Sequence, residues 1–432
     1  MVIKQELENR VIPLKILLEA LETTYGLITN ILPPDEVPEL EIGVKYIKKI
    51  VAEMIEGANE GLPIVGHHFA FQAEYLSCFD IVPVCIEGIS YILSCIFPHG
   101  VERFNDIISD GFGHPYHTCS SQKSCMGMTL DDLFRFDAII TPTAPCDNTY
   151  ASYPFFKYKE NIPLILPDLP FLHQEKSLHY YGDQIKIALN DLGKVIGQEP
   201  DFETMKKHIE IENKVNRHAL EIFELKKARP NPVSNLFNAF AAAASIYLAG
   251  RNEHLKFYEE NLEIAKRRYK RRGRHGEDES EEKMRSIWPY MLIFFSLETL
   301  EWLDRSVGMS VLFDIFNYNF SPHIDVKNEE KMWYDMANKG MSFPMMKQST
   351  DFYYPFIEDC VRLAKEYNAD NFVFTAHIGC KQFGSVPQIL KEALREELGI
   401  PMLIIDLDVG DERLTNINII RDKINIFTQT LM

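Results

Sequence analysis

The chain has 432 residues, 46% of them hydrophobic and 25% charged, with 23 Pro and 22 Gly. That is enough chain for two or three domains with full cores, and it excludes both a disulfide-stapled miniprotein and a disordered polymer. Lys and Arg number 45 against 63 Asp and Glu, a net charge of −18; such a surface repels phosphate backbones and anionic membranes, so neither nucleic acid nor a membrane is an expected partner.

The first residues, MVIKQELENRV, mix charges into what would have to be an apolar core of a secretory signal, so a cytoplasmic location is expected. Residues 1–60 read as a helical N-terminal segment: Leu14, Leu17, Leu18 and Leu21 recur at helical spacing, and a second amphipathic run covers Val44 to Ile55 after the Pro33-Pro34 break. Residues 61–200 change pattern. Short apolar runs at Leu62 to Phe71, Phe79 to Ile86, Phe136 to Thr143 and Ile162 to Leu166 alternate with longer stretches, as strands of a parallel sheet alternate with crossover helices. A further helix is expected from about Thr129. Helical periodicity from about 175 to 272 marks a connector, placed at 201–275; within it Val233 to Gly250 carries Ser234, Asn235, Asn238 and Ser245, and reads as a buried helix rather than a membrane span. A basic block beginning at Lys266 breaks at Gly273 and Gly276 into an acidic one, which reads as a solvated helix end and an interdomain loop. Residues 276–432 form a second α/β unit, with strands expected at Ile287 to Phe295, Met309 to Ile315, Asn371 to Ala376 and Met402 to Leu407, and helices at Phe352 to Tyr367, Val386 to Leu398 and Glu412 to Leu431. No internal repeat is evident.

The chain has no P-loop, no GxGxxG between a strand and a helix, no GxSxG elbow and no HExxH pair, which lowers the weight of standard nucleotide and hydrolase chemistry. Eight cysteines remain, and in a reducing compartment they are thiols or metal ligands. Cys146 closes the segment FDAIITPTAPC and Cys380 closes NFVFTAHIGC, one in each α/β unit, at the strand ends where open parallel sheets bind ligands. Cys119, in HPYHTCSSQKSCMG, is a third candidate. Three thiolates converging from distant segments suit an iron–sulfur cluster with one non-protein ligand; ordinary core thiols are the other reading of the same residues. Zinc is a competing metal, because His114, His117 and Cys119 are close in sequence, although the chain has no CxxC. Cys125 lies six residues beyond Cys119, and joins the same centre only if that stretch is loop.

At these motifs the sequence resembles the 2-hydroxyacyl-CoA dehydratase and benzoyl-CoA reductase family. EYLSCFDIVPV, Glu74 to Val84, is similar to the family's first, Glu-containing motif, with the Cys-Phe-Asp triplet of the larger reductase-type subunits. HTCSSQKSCMG and TPTAPCDNTYASYPFF put Cys119 and Cys146 at the first two ligand positions, and HIGCKQFG puts Cys380 at the third. RPNPVSNLFNAF, Arg229 to Phe240, is similar to a helical connector motif. Two departures are visible: QAEYL stands where Pro usually precedes the Glu, and the apolar WPYMLIFFSLETLEWL, Trp288 to Leu303, stands where a glycine-rich loop is usual.

The resemblance implies two Rossmann-like parallel-sheet domains, a helical N-terminal segment and connector, and a [4Fe-4S] cluster in the interdomain cleft held by Cys119, Cys146 and Cys380. It implies an oxygen-sensitive enzyme component, a lyase or oxidoreductase of anaerobic metabolism, that adds one electron to an acyl-CoA thioester carbonyl so that hydroxide can leave. A separate ATP-hydrolysing iron–sulfur activator would supply the electron, and a homologous subunit would pair with this one. Glu74 is the candidate acid–base residue, its alternative role being service to a helix dipole. Two other readings stay open: a homodimeric reductase of small molecules with an [8Fe-9S] double cubane, which needs extra ligands such as Cys125 and Cys78, and a non-catalytic iron–sulfur or zinc-binding assembly protein.

Overall fold

In a computed structural model, which describes residues 11–31, 37–97, 99–271, 282–293, 295–317, 321–414 and 416–431, the strands form two four-stranded sheets, each parallel throughout. The first contains β1 (Ile64–His67), β2 (Val82–Cys85), β3 (Ala138–Ile140) and β4 (Leu164–Ile165) in the order β2-β1-β3-β4. The second contains β5 (Met284–Ile287), β6 (Met309–Phe313), β7 (Asn371–His377) and β8 (Met402–Leu407) in the order β6-β5-β7-β8. Counted within its own sheet, each order is 2-1-3-4, so the topology repeats although the sequence does not. β1, β6 and β7 are buried along their whole length, as parallel strands covered on both faces are. The expectation of an α/β fold with two Rossmann-like sheets is met.

One strand lies earlier than expected. β5 ends at Ile287, where the apolar run that suggested a strand begins, and its own sequence, MRSI, holds an arginine. Arg285 is tolerated there because its guanidinium donates to the carbonyls of Tyr367, Ala228 and Lys226 at 2.9, 2.9 and 2.5 Å and pairs with Glu282 at 2.9 Å. A buried cation with four hydrogen bonds, one to a carboxylate, is stable in a strand where an unpaired one is not.

Helices Ile12–Ile31 and Pro38–Asn59 make the N-terminal segment, and Glu175–Ile196, Phe202–Leu225, Asn235–Tyr247 and Asn252–Arg271 follow the first sheet. Asp201 and Ser234 cap two of these through hydrogen bonds from the first-turn amides. The Pro33-Pro34 break and the charge switch at Gly273 and Gly276 lie outside the described residues. Asn235–Tyr247 is buried, and among the described residues no helix is long and apolar enough to cross a membrane. Its two asparagines reach the open edge of the second sheet: Asn235 receives the Val311 amide at 2.7 Å and donates to the Met309 carbonyl at 2.9 Å, and Asn238 donates to the Val311 carbonyl at 2.8 Å. They complete the backbone bonding of edge strand β6, which would otherwise be open to pairing with another chain.

The helix expected from about Thr129 starts nine residues sooner, as Ser120–Leu130. It has no amphipathic stripe, because its serines, Gln122 and Lys123 are as buried as its methionines. It packs on helix Glu102–Phe112 so closely that a Cβ at Gly127 would overlap the backbone of Phe104. Gly127→Ala is therefore expected to lower unfolding free energy by about 1–3 kcal/mol, read as a lower urea midpoint with unchanged slope.

Candidate functional site

The three cysteines singled out by sequence come together where the carboxyl ends of the two sheets meet. Cys146 follows β3 and Cys380 follows β7, the strands in the third place of their sheets, and each is the N-cap of the next helix, Asp147–Glu160 and Lys381–Gly384. Cys119 is the N-cap of Ser120–Leu130. The helix dipoles of the two longer helices favour thiolate over thiol at Cys119 and Cys146.

Hydrogen bonds across the seam fix these positions. Asn148 donates to the Gly379 carbonyl at 2.5 Å, Gln382 exchanges bonds with the amide and carboxylate of Asp147 at 3.2 Å each, and the Ser120 hydroxyl donates to Asp408 at the end of β8. Gly379 is a close approach: an added Cβ would stand 2.7 Å from His377 Nε2 and 2.8 Å from the Cα of Cys119.

The electrostatics are those of one coupled centre. Burial raises the Cys146 thiol, and charge on Cys380 and Cys119 raises it further. Burial raises Cys380 to about 11, against a hydrogen bond from Tyr290. Burial acts upward on Cys119 too, but His377 and the Ser121 hydroxyl, 3.0 Å from Sγ, outweigh it and hold this thiol below its ordinary value. Burial alone would lower His377; Asp408 and Cys119 reverse that and bring it to about 9. His377 Nδ1 is 3.7 Å from Asp408, and neither ring nitrogen completes a hydrogen bond of normal geometry, so its influence on Cys119 acts as proximity of charge.

This donor set is compatible with an iron–sulfur cluster: three soft thiols, one of them held below its ordinary value, with an imidazole beside them whose nitrogens have no hydrogen-bond partner. Among the described residues no three His, Cys, Asp or Glu side chains are drawn to the spacing of a single metal ion. His114 is turned to Thr118, 3.3 Å away.

The other two cysteines considered as ligands lie elsewhere. Because 120–130 is helix, Cys125 faces away from Cys119; its thiol is raised by burial and by the Glu87 charge. Cys78 donates to the Tyr75 carbonyl at 3.2 Å, and burial pushes it up to about 12.

Glu74 sits in a separate buried network. It pairs with Lys339 Nζ at 2.6 Å; Lys339 is 3.7 Å from Glu212, which binds His254 at 2.6 Å and the Gly250 amide at 2.7 Å. These groups line a cavity of about 90 Å³ where the first sheet's entry turn meets helices Phe202–Leu225 and Glu329–Ser342. Burial raises Glu74 in spite of Lys339, whereas His254 and Lys339 overcome burial at Glu212 and bring it to about 2.

Sequence reasoning passed over His377 and Glu87. His377 is three residues before Cys380, at the end of the longest described strand; Glu87 is two residues past β2, a charge at the edge of an apolar run. Both positions carry a signal in the strand-end rule that found the cysteines.

Compared with known proteins, residues 71–431 match the model of a family described as 2-hydroxyglutaryl-CoA dehydratase, D-component. A curated relative, lactoyl-CoA dehydratase subunit alpha of Anaerotignum propionicum, is 24% identical over 299 residues, which cover 64% of this chain and 65% of the relative. The matched stretch thus spans just under two thirds of that relative's length.

The Glu74 network yields a test of its own. Lys339→Met leaves two buried carboxylates without the cation between them, and is expected to cost about 3–5 kcal/mol in urea unfolding near neutral pH. In that variant Glu74 rises further above its unfolded-state value, and the penalty of a raised acid is relieved as pH falls through its folded-state pKa. The destabilisation should therefore be smaller at about pH 5 than at about pH 8; equal values would show that Glu74 does not take up the proton.

Proposed function

The chain belongs to the family described as 2-hydroxyglutaryl-CoA dehydratase, D-component, and on that premise we propose that it is the cluster-bearing subunit of an ATP-activated radical 2-hydroxyacyl-CoA dehydratase or related acyl-CoA reductase. The observation that carries the reading is the convergence of Cys119, Cys146 and Cys380, from segments far apart in sequence, on one coupled centre at the seam. When bound, a low-potential [4Fe-4S] cluster would supply one electron to a thioester carbonyl, which makes expulsion of the 2-hydroxyl as hydroxide feasible.

The chain's own residues do the rest. Cys119, Cys146 and Cys380 would hold the group, leaving one iron position for water or substrate oxygen. The seam contacts of Asn148, Gln382 and Ser120 hold the two sheets together beside it. His377, buried beside Cys119 and brought to about 9, can hold a proton there. Glu74 remains a candidate for proton transfer, but through its own network with Lys339 rather than by contact with the cysteines.

A single cubane is favoured over the double one, because Cys125 is buried on another face of its helix and Cys78 is bonded to the Tyr75 carbonyl. The domain division at about residues 60, 200 and 275 goes with this reading, as do a homologous partner subunit, a separate iron–sulfur activator that hydrolyses ATP, and a cytoplasmic, anaerobic setting.

Anaerobically prepared protein is expected to be brown and to hold about four iron and four sulfide per chain. Cys119→Ala, Cys146→Ala or Cys380→Ala should each abolish or strongly reduce iron binding, whereas Cys360→Ala, in a buried helix position, should not. Stoichiometric zinc without iron after iron-replete anaerobic expression would sink the reading. Turnover is expected only when a reduced ATPase activator is added, and its rate should fall with ionic strength if charge steers docking; turnover with ATP and a chemical reductant alone would refute that requirement.

A further inference from the structure

Glu87 is 1% exposed, the second residue of helix Ile86–Ile96, and has no Lys or Arg partner among the described contacts. It is nonetheless saturated with donors. Tyr153 Oη and Gln122 Nε2 donate to Oε1 at 2.6 and 3.1 Å; the Phe69 amide and the Cys85 thiol donate to Oε2 at 3.3 and 3.8 Å. Both oxygens accept, which is the pattern of an ionised carboxylate at a helix N-terminus.

The identity of two donors matters. Gln122 is one turn into the helix that Cys119 caps, and Tyr153 is two turns into the helix that Cys146 caps. Serine contacts reinforce the first link: Ser90 donates to the Ser121 carbonyl and Ser124 to Ser90, both at 2.6 Å. Rotation or sliding of either helix would break a bond to Glu87 and move a cysteine. The nearest imidazole does not cancel the charge. His68 Nδ1 accepts the Ala70 amide at 3.0 Å, so Nε2, 3.5 Å from Glu87, carries the proton of a ring that burial keeps neutral.

We propose that Glu87 is a positioning residue for the three-cysteine centre: it locks the helices that begin at Cys119 and Cys146 into register and places a fixed negative charge behind them. The proposal rests on the cluster reading above. Its second half has a redox consequence, because a buried anion near a cluster disfavours the added electron and lowers the reduction potential.

Three variants separate the two roles, in protein reconstituted anaerobically with iron and sulfide and examined for iron content, visible spectrum and midpoint potential. Glu87→Gln keeps the size and one accepting oxygen but removes the charge; it should retain iron with its midpoint potential shifted upward. Glu87→Ala removes the link and should lose iron. Tyr153→Phe keeps the charge and should leave the potential where it is, with some loss of iron. Wild-type potential in Glu87→Gln with full iron overturns the charge role, and full iron in Glu87→Ala overturns the positioning role. A wild-type chain that binds no iron overturns the cluster reading and this inference with it.

Discussion

A single buried carboxylate, Asp408, ties the two halves of the seam. It stands just past β8 and accepts the Ser120 hydroxyl from the first unit, while its own turn supplies the Gly410 and Asp411 amides, each at 2.9 Å. Charge-assisted bonds of this kind, together with the imidazole of His377 3.7 Å away, offset the cost of burying the carboxylate. Ser120 is the residue after Cys119, and His377, three residues before Cys380, faces Asp408 from the neighbouring strand. The position of two of the three thiols is therefore a property of both sheets at once. Neither sheet alone defines the centre.

The repeated 2-1-3-4 order explains why the centre lies at that seam. An open parallel sheet has a crevice at the carboxyl ends where strand order reverses, here between the first and third strands of each unit. Cys146 and Cys380 occupy equivalent places in the two crevices, so apposing the sheets brings them to one point. The symmetry stops there. The first unit adds His68, Cys85 and Glu87 at its other strand ends, while the second carries Trp288 and Asp314 beyond β5 and β6, with Asp314 bonded to Asn317. The chemical content of the centre thus comes mainly from the first unit, and the second supplies closure, His377 and one thiol.

Much of this was legible in sequence, and the parts that were not share a cause. Strands buried on both faces appear as apolar runs, so β1, β2, β6, β7 and β8 were visible, and strand ends marked Cys146 and Cys380. What pattern reading uses is contrast between a buried and an exposed face. Helix Ser120–Leu130 has none, because its polar side chains are buried and satisfied by remote partners such as Glu87 and Tyr116. β5 was misplaced for the converse reason: Arg285 looks like a surface residue until the carbonyls of the connector are folded around it. Glu74 was picked out as an acid–base candidate, yet its partners, Lys339 and Glu212, lie 265 and 138 residues away in sequence, and no local motif signals that network.

Charge joins these observations. Asp408, beside His377, and Glu87, bonded to the helices that Cys119 and Cys146 cap, are both buried, and the chain as a whole carries −18. Of the buried cations, Arg285 is committed to the connector, Lys339 to Glu74 and Arg268 to Glu39, while Lys123, in the helix that Cys119 caps, donates to the Tyr116 carbonyl at 2.9 Å. His377 stands by Cys119 and Asp408, which bring it to about 9. Three thiolates in such a field resist further negative charge, so a cluster there would accept an electron only from a strong donor.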